Sequence, residues 1–172
     1  MNTLLPVKYK LDWSKINVEL YEKSMVPVVY EKIADHMKVQ IDEVSRNTET
    51  SWDGSYMMVK VPPQMIPCKE VQECIKTLGY GRVKWVNFMK LPAGKEIFTH
   101  HDESRKCAIN FVRDKSNPII HDGITYNYDR FFFNCGVAHS VPVGAERMSM
   151  QLAFHEYEFE DIRERLMADG WL

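Results

Sequence analysis

Val83-Lys84-Trp85-Val86-Asn87-Phe88-Met89-Lys90-Leu91, then Pro92-Ala93-Gly94, then Ile97-Phe98-Thr99-His100-His101-Asp102: one short apolar run, a turn, and a second short run that ends in polar residues. The same texture continues to His155. Lys106–Val112 leads to Ser116-Asn117-Pro118, Ile119–His121 to Asp122-Gly123, and Ile124–Tyr128 to Arg130–Asn134. Cys135-Gly136 then turns the chain, Ser140–Val143 precedes Gly144-Ala145, and Arg147–His155 closes the series. Runs of this length, cut by Gly, Pro, Asn and Asp, read as strands joined by turns. Many short strands at close spacing predict a β-barrel-like sandwich.

The flanks read differently. Val28, Val29, Ile33, Met37 and Ile41 recur at near-helical spacing and predict a helix over Pro27–Ser45. Tyr56–Val61 reads as a strand stopped by Pro62-Pro63, and Lys69–Leu78 as a short helix ended by Gly79. Glu158–Asp169 reads as a closing helix. A chain of 172 residues suits one domain. Its expected parts are a helical or mixed support (1–81), the β core (82–155) and a C-terminal helix (156–172).

Composition excludes several classes. With a formal net charge of −2, bulk attraction to a phosphate backbone is absent, so nucleic acid is not an expected partner. No apolar run approaches the roughly 20 residues a bilayer span needs. Met1–Pro6 lacks the pattern of a signal peptide, so an intracellular, cytoplasmic location is expected. Cys68, Cys74, Cys107 and Cys135 form no CxxC pair and read as free thiols.

Chemistry enters at Thr99-His100-His101-Asp102. In an extended segment His100 and Asp102 share a face and His101 points away. An imidazole nitrogen beside a carboxylate oxygen makes two ligands for a divalent metal. His139, which follows a turn and opens an apolar strand, is the candidate third. Two His and one carboxylate leave coordination positions open, as Fe(II) oxygenases require, whereas a structural zinc site closes all four.

Arg147-Met148-Ser149 is the next element. By period two, Met148, Met150, Leu152 and Phe154 form a uniformly apolar face, and Arg147, Ser149, Gln151 and Ala153 form the other. A guanidinium inside an otherwise buried strand needs an anion in good geometry. The bland partner is a protein carboxylate such as Glu146 or Glu156. A ligand carboxylate held by the guanidinium fork and the Ser149 hydroxyl would serve as well.

The set Leu91-Pro92-Ala93-Gly94, His100-x-Asp102, His139 and Arg147-x-Ser149, in that order, resembles the 2-oxoglutarate/Fe(II)-dependent oxygenase superfamily over Asn87–His155. The resemblance implies a double-stranded β-helix (jelly-roll, cupin-like) core. It implies iron held by His100, Asp102 and His139, with 2-oxoglutarate and O2 as co-substrates. It places the distal carboxylate of 2-oxoglutarate on Arg147, assisted by Ser149. The small size and the Arg105–Phe111 segment are similar to compact hydroxylases of amino acids or protein side chains, phage-encoded members included. Met89 and Leu91 stand where nucleic-acid demethylases of the superfamily carry Asn and Tyr. Asp102 stands where mammalian-type aspartyl hydroxylases carry Gly. The expected substrate is thus a small molecule or a protein side chain. The other reading of the same fold is a non-oxidative cupin-like metal-binding protein, an isomerase or a binding module.

Further residues carry expectations of their own. Asn110 interrupts an apolar strand and is a candidate for binding co-substrate or substrate, or else a polar residue satisfied by backbone. Asn87 reads as a polar residue satisfied by backbone or, like Asn110, as pocket lining, and Arg105, at the expected pocket mouth, as a solvated loop arginine or a grip on a substrate carboxylate. His101 is expected to face away from the metal, and His36, His121 and His155 to be ordinary histidines. Cys135 reads as a turn residue. Tyr126 and Tyr128 read as sheet packing, with pocket lining open to one of them.

Overall fold

A computed structural model describes residues 2–29, 35, 53–79, 81–113 and 118–172. The strands are β1 (Leu4–Pro6), β2 (Val26–Val29), β3 (Asp53–Val61), β4 (Trp85–Leu91), β5 (Ile97–His100), β6 (Cys107–Val112), β7 (Ile119–His121), β8 (Ile124–Tyr126), β9 (Arg130–Asn134), β10 (His139–Val141) and β11 (Arg147–Phe154). The α-helices whose bounds lie among the described residues are α1 (Val18–Glu22), α2 (Lys69–Leu78) and α3 (Phe159–Ala168).

Two antiparallel sheets result. The larger has the order β1-β9-β6-β11-β4-β3-β2, and the smaller β5-β10-β7-β8. From β4 to β11 the pairing is nested: β4 with β11, β5 with β10, β6 with β9, and β7 with β8. A long antiparallel ribbon has therefore been wound so that successive pairs fall in alternate sheets. This is the double-stranded β-helix, and the predicted segment Arg82–His155 contains all of it. β1 and β3 extend the larger sheet at either side, and β2 forms its edge.

β11 lies between β4 and β6, and every one of its residues is buried. Its two faces have different fates. Met148, Met150, Leu152 and Phe154 join one apolar cluster with Val71, Cys74, Ile75 and Leu78 of α2 and Ile162 and Leu166 of α3. The helices thus cover the outer face of the larger sheet. On α2 these four residues recur at helical spacing and make one buried stripe. Gly79 ends the helix at φ 89°, a conformation that favours glycine. The opposite face of β11 looks toward the smaller sheet.

The helix expected over Pro27–Ser45 is corrected at its start. Val26–Val29 is a strand paired with β3. β-branched residues favour extended backbone, and Pro27 is tolerated because β2 is the edge strand of this sheet among the described residues. Asp35 is helical, and the rest of that expectation falls outside the described residues. Among the described residues no helix is long and apolar enough to cross a membrane.

Candidate metal centre

Strand register builds the centre. His139 lies opposite His100 in the β10–β5 pair, and directly opposed residues share a face. The two imidazole rings are 4.5 Å apart between centroids. β5 ends at His100, so Asp102 is not on the strand as expected. It sits in the following loop, where its backbone N–H donates to the Cys135 carbonyl at 2.8 Å. That bond brings the carboxylate back: Asp102 Oδ2 is 3.6 Å from His139 Nε2. One ligand atom from each of His100, Asp102 and His139 falls within 4.8 Å of the others. His101 is not among them.

The imidazoles are oriented as ligands. His100 Nδ1 is 2.9 Å from the Phe98 carbonyl, and His139 Nδ1 is 2.8 Å from the Val137 carbonyl. A carbonyl only accepts, so in the neutral ring each Nδ1 carries the hydrogen and each Nε2 keeps its lone pair. Burial keeps both rings neutral. It lowers the His100 pKa and, with the repulsion a second imidazolium at His100 would add, brings His139 down to about 3. Burial alone would raise the Asp102 carboxyl, but Arg105, His100 and His139 outweigh it and bring Asp102 to about 2. Two neutral imidazoles and one carboxylate are the donor set a divalent first-row metal takes.

Arg105 corrects an expectation. It is not a solvated loop residue: its Nη2 and Nε donate to Asp102 Oδ2 at 2.5 and 3.2 Å, and its Nη1 donates to Gln151 Oε1. The i,i+3 spacing from Asp102 across a turn was the available signal. A carboxylate oxygen has lone pairs for both a metal and an outer partner, and such partners fix metal-ligating carboxylates.

The triad opens on a cavity of about 460 Å³ between the sheets, within the usual range for small-molecule sites. Arg147, Ser149 and Gln151 line its other wall, as the alternation of β11 predicts. Arg147 is 4% exposed and donates from Nη1 to the Pro118 carbonyl at 3.3 Å. Burial weighs against its charge, Tyr56 counters in part, and the pKa falls to about 10, so it stays a cation at neutral pH. Asn110 and Asn87 line the cavity too. Asn87 Nδ2 donates to Gln151 Oε1 at 2.9 Å, so its amide is not satisfied by backbone as expected.

Tyr56, Met58 and Lys60 of β3 also reach the cavity, and sequence reasoning gave them no site role. Their period-two spacing, opposite to Met57, Val59 and Val61 on the helix side, was the signal. Tyr126 and Tyr128 do not line it; their rings pack against each other at 5.8 Å. His121 is a buried histidine whose Nε2 is 3.0 Å from the Asn134 carbonyl. Cys135 is a buried turn residue, and His36 lies outside the described residues.

No family model and no curated protein matches the chain. Solved structures of similar fold include a prolyl-4-hydroxylase from Pseudomonas putida, 13% identical, covering 71% of this chain and 83% of that one at a TM-score of 0.48. A salicylate 1,2-dioxygenase from Pseudaminobacter salicylatoxidans is 13% identical over 77% of this chain and 33% of that one, at 0.43. This chain therefore spans about a third of that enzyme. An RmlC-like cupin from Shewanella frigidimarina is 15% identical over 60% and 79%, at 0.38. Strand order and register define the fold without these likenesses.

Proposed function

We propose that this protein is an Fe(II)- and 2-oxoglutarate-dependent oxygenase that hydroxylates a C–H bond of an amino acid, a protein side chain or a small metabolite. One observation carries the reading: the His100/Asp102/His139 cluster and the buried Arg147-x-Ser149 pair line one cavity. A metal-binding cupin without a dicarboxylate co-substrate has no need of the second wall.

His100 Nε2, His139 Nε2 and the Asp102 carboxylate would hold the iron, which fits their neutral and ionised states. Bound iron would couple O2 to the oxidative decarboxylation of 2-oxoglutarate, one oxygen atom going to succinate and the other to the substrate C–H bond. The chain's own residues do the rest. Arg147 would take the distal carboxylate of 2-oxoglutarate, offsetting the desolvation of its guanidinium, and Ser149 would add a hydroxyl donor. Arg105 holds Asp102 in place. Tyr56, Met89, Leu91, Phe98 and Val141 form an apolar cluster beside the cavity that limits water.

Separate affinities test the assignment. Arg147→Met is expected to weaken 2-oxoglutarate binding at least about tenfold, the loss of one charge-assisted contact, and to leave metal affinity near wild type. His139→Ala is expected to lose the metal first. Unchanged 2-oxoglutarate affinity in Arg147→Met would leave a plain metal-binding cupin as the better reading.

A further inference from the structure

One row of side chains crosses the larger sheet at a single register. Lys60 of β3 lies opposite Asn87 of β4, Asn87 opposite Gln151 of β11, and Gln151 opposite Asn110 of β6. All four line the cavity. Asn87, Gln151 and Asn110 are 3%, 3% and 6% exposed, in strands whose neighbouring positions are apolar. Three buried amides side by side need an account, because each brings donors and acceptors among apolar neighbours.

The orientation of Gln151 and Asn87 follows from Arg105. A guanidinium only donates, so its bond to Gln151 identifies the facing atom as Oε1. Gln151 Oε1 also faces Asn87, so the Asn87 atom toward it is Nδ2 and Asn87 Oδ1 points elsewhere. Among the described residues neither Asn87 Oδ1 nor Asn110 Oδ1 finds a hydrogen-bond partner. A buried acceptor without a donor is destabilising unless a ligand supplies one.

Position separates this row from the co-substrate anchor. Gln151 lies four residues beyond Arg147 along one extended strand, about 13 Å at the usual rise per residue. Through Arg105 the row connects to Asp102, so it stands next to the metal centre at the end of the cavity away from Arg147.

We infer that Asn87, Gln151 and Asn110 form a substrate-recognition subsite, and that it takes a neutral head group carrying N–H or O–H donors, a carboxamide or a hydroxyl. Two unpartnered acceptor oxygens call for donors. Arg105 and Lys60 at the same end make a cationic donor unfavourable, and an anion, which only accepts, brings no donor to the two amide oxygens. The word substrate here rests on the oxygenase reading; the donor preference does not.

Matched probes test it by saturation-transfer NMR: benzamide against N,N-dimethylbenzamide, and benzyl alcohol against benzyl methyl ether. Each pair differs in the presence of a donor. The full chain is used alone and again with Zn(II) and 2-oxoglutarate. The donor-bearing member of each pair is expected to bind about three- to tenfold more tightly, the effect of one buried hydrogen bond. Asn110→Leu, which leaves the Asn87 oxygen as the one remaining acceptor, should clearly reduce that difference, and Asn110→Asp, which keeps an acceptor, should retain it. Asn110→Leu is expected to melt no lower than wild type, since it removes an unpartnered oxygen; if it fails to fold, the wild-type pairs and Asn110→Asp decide. Equal binding within each pair, no binding of either donor probe, or a difference that survives undiminished in Asn110→Leu would overturn the inference. Failure of 2-oxoglutarate to bind in the same samples would overturn the oxygenase reading and leave a measured donor preference standing.

Discussion

His100, His121 and His139 are buried, and burial lowers the pKa of each, to about 3 for His139. In the unfolded chain a histidine titrates near 6.5. Below that pH the unfolded state takes up protons the folded state refuses, so stability is complete above about 6.5 and is lost as pH falls toward the folded value. Asp102, brought to about 2 from an ordinary 3.8, adds a loss of the same sign at lower pH. Urea unfolding without metal should therefore show a lower midpoint at pH 5.5 than at pH 7.5, with roughly 1 kcal/mol per pH unit at stake for each linked histidine. An equal or higher midpoint at pH 5.5 would mean these imidazoles are not held neutral by burial.

At the scale of one element, β11 joins both halves of the account. Met150 has no exposed surface and packs on the helix side, whereas Ser149 faces the cavity. Met150→Ala should destabilise by about 2–5 kcal/mol, the usual range for emptying a packed core site, with little effect on 2-oxoglutarate affinity in the folded protein. Ser149→Ala should hardly change the urea midpoint and should weaken 2-oxoglutarate binding about three- to tenfold. The reverse pattern would mean the strand's faces have been assigned the wrong way round. That alternation was readable in the sequence because strand side chains repeat every two residues. β2 was misread because Val28 and Val29 fit a helical period as well as a strand, and the pairing with β3 that decides between them is not a local property. Arg105 was misread for a related reason: a loop has no period, so only its i,i+3 relation to Asp102 could have placed it.

The whole molecule sets two walls face to face. The larger sheet, packed by helices on its outer side, presents Arg147, Ser149 and the amide row; the smaller sheet presents His100 and His139 at matched register. Groups held on paired strands stay where the backbone puts them, which is what chelation between metal and anchor would require. The order of the short strands from Arg82 to His155 was legible from turn residues. The nested pairing that turns them into one cavity depends on contacts distant in sequence, and entered only through the resemblance of the His-x-Asp, His and Arg-x-Ser pattern. The most direct measurement is an anaerobic titration of the Fe(II)-loaded protein with 2-oxoglutarate, followed by visible absorption. Chelation of the metal by the 2-oxo acid should raise a weak charge-transfer band that saturates near one equivalent and is lost or strongly weakened in Arg147→Met. Iron that binds at the triad without any such band in the wild-type protein would contradict the account.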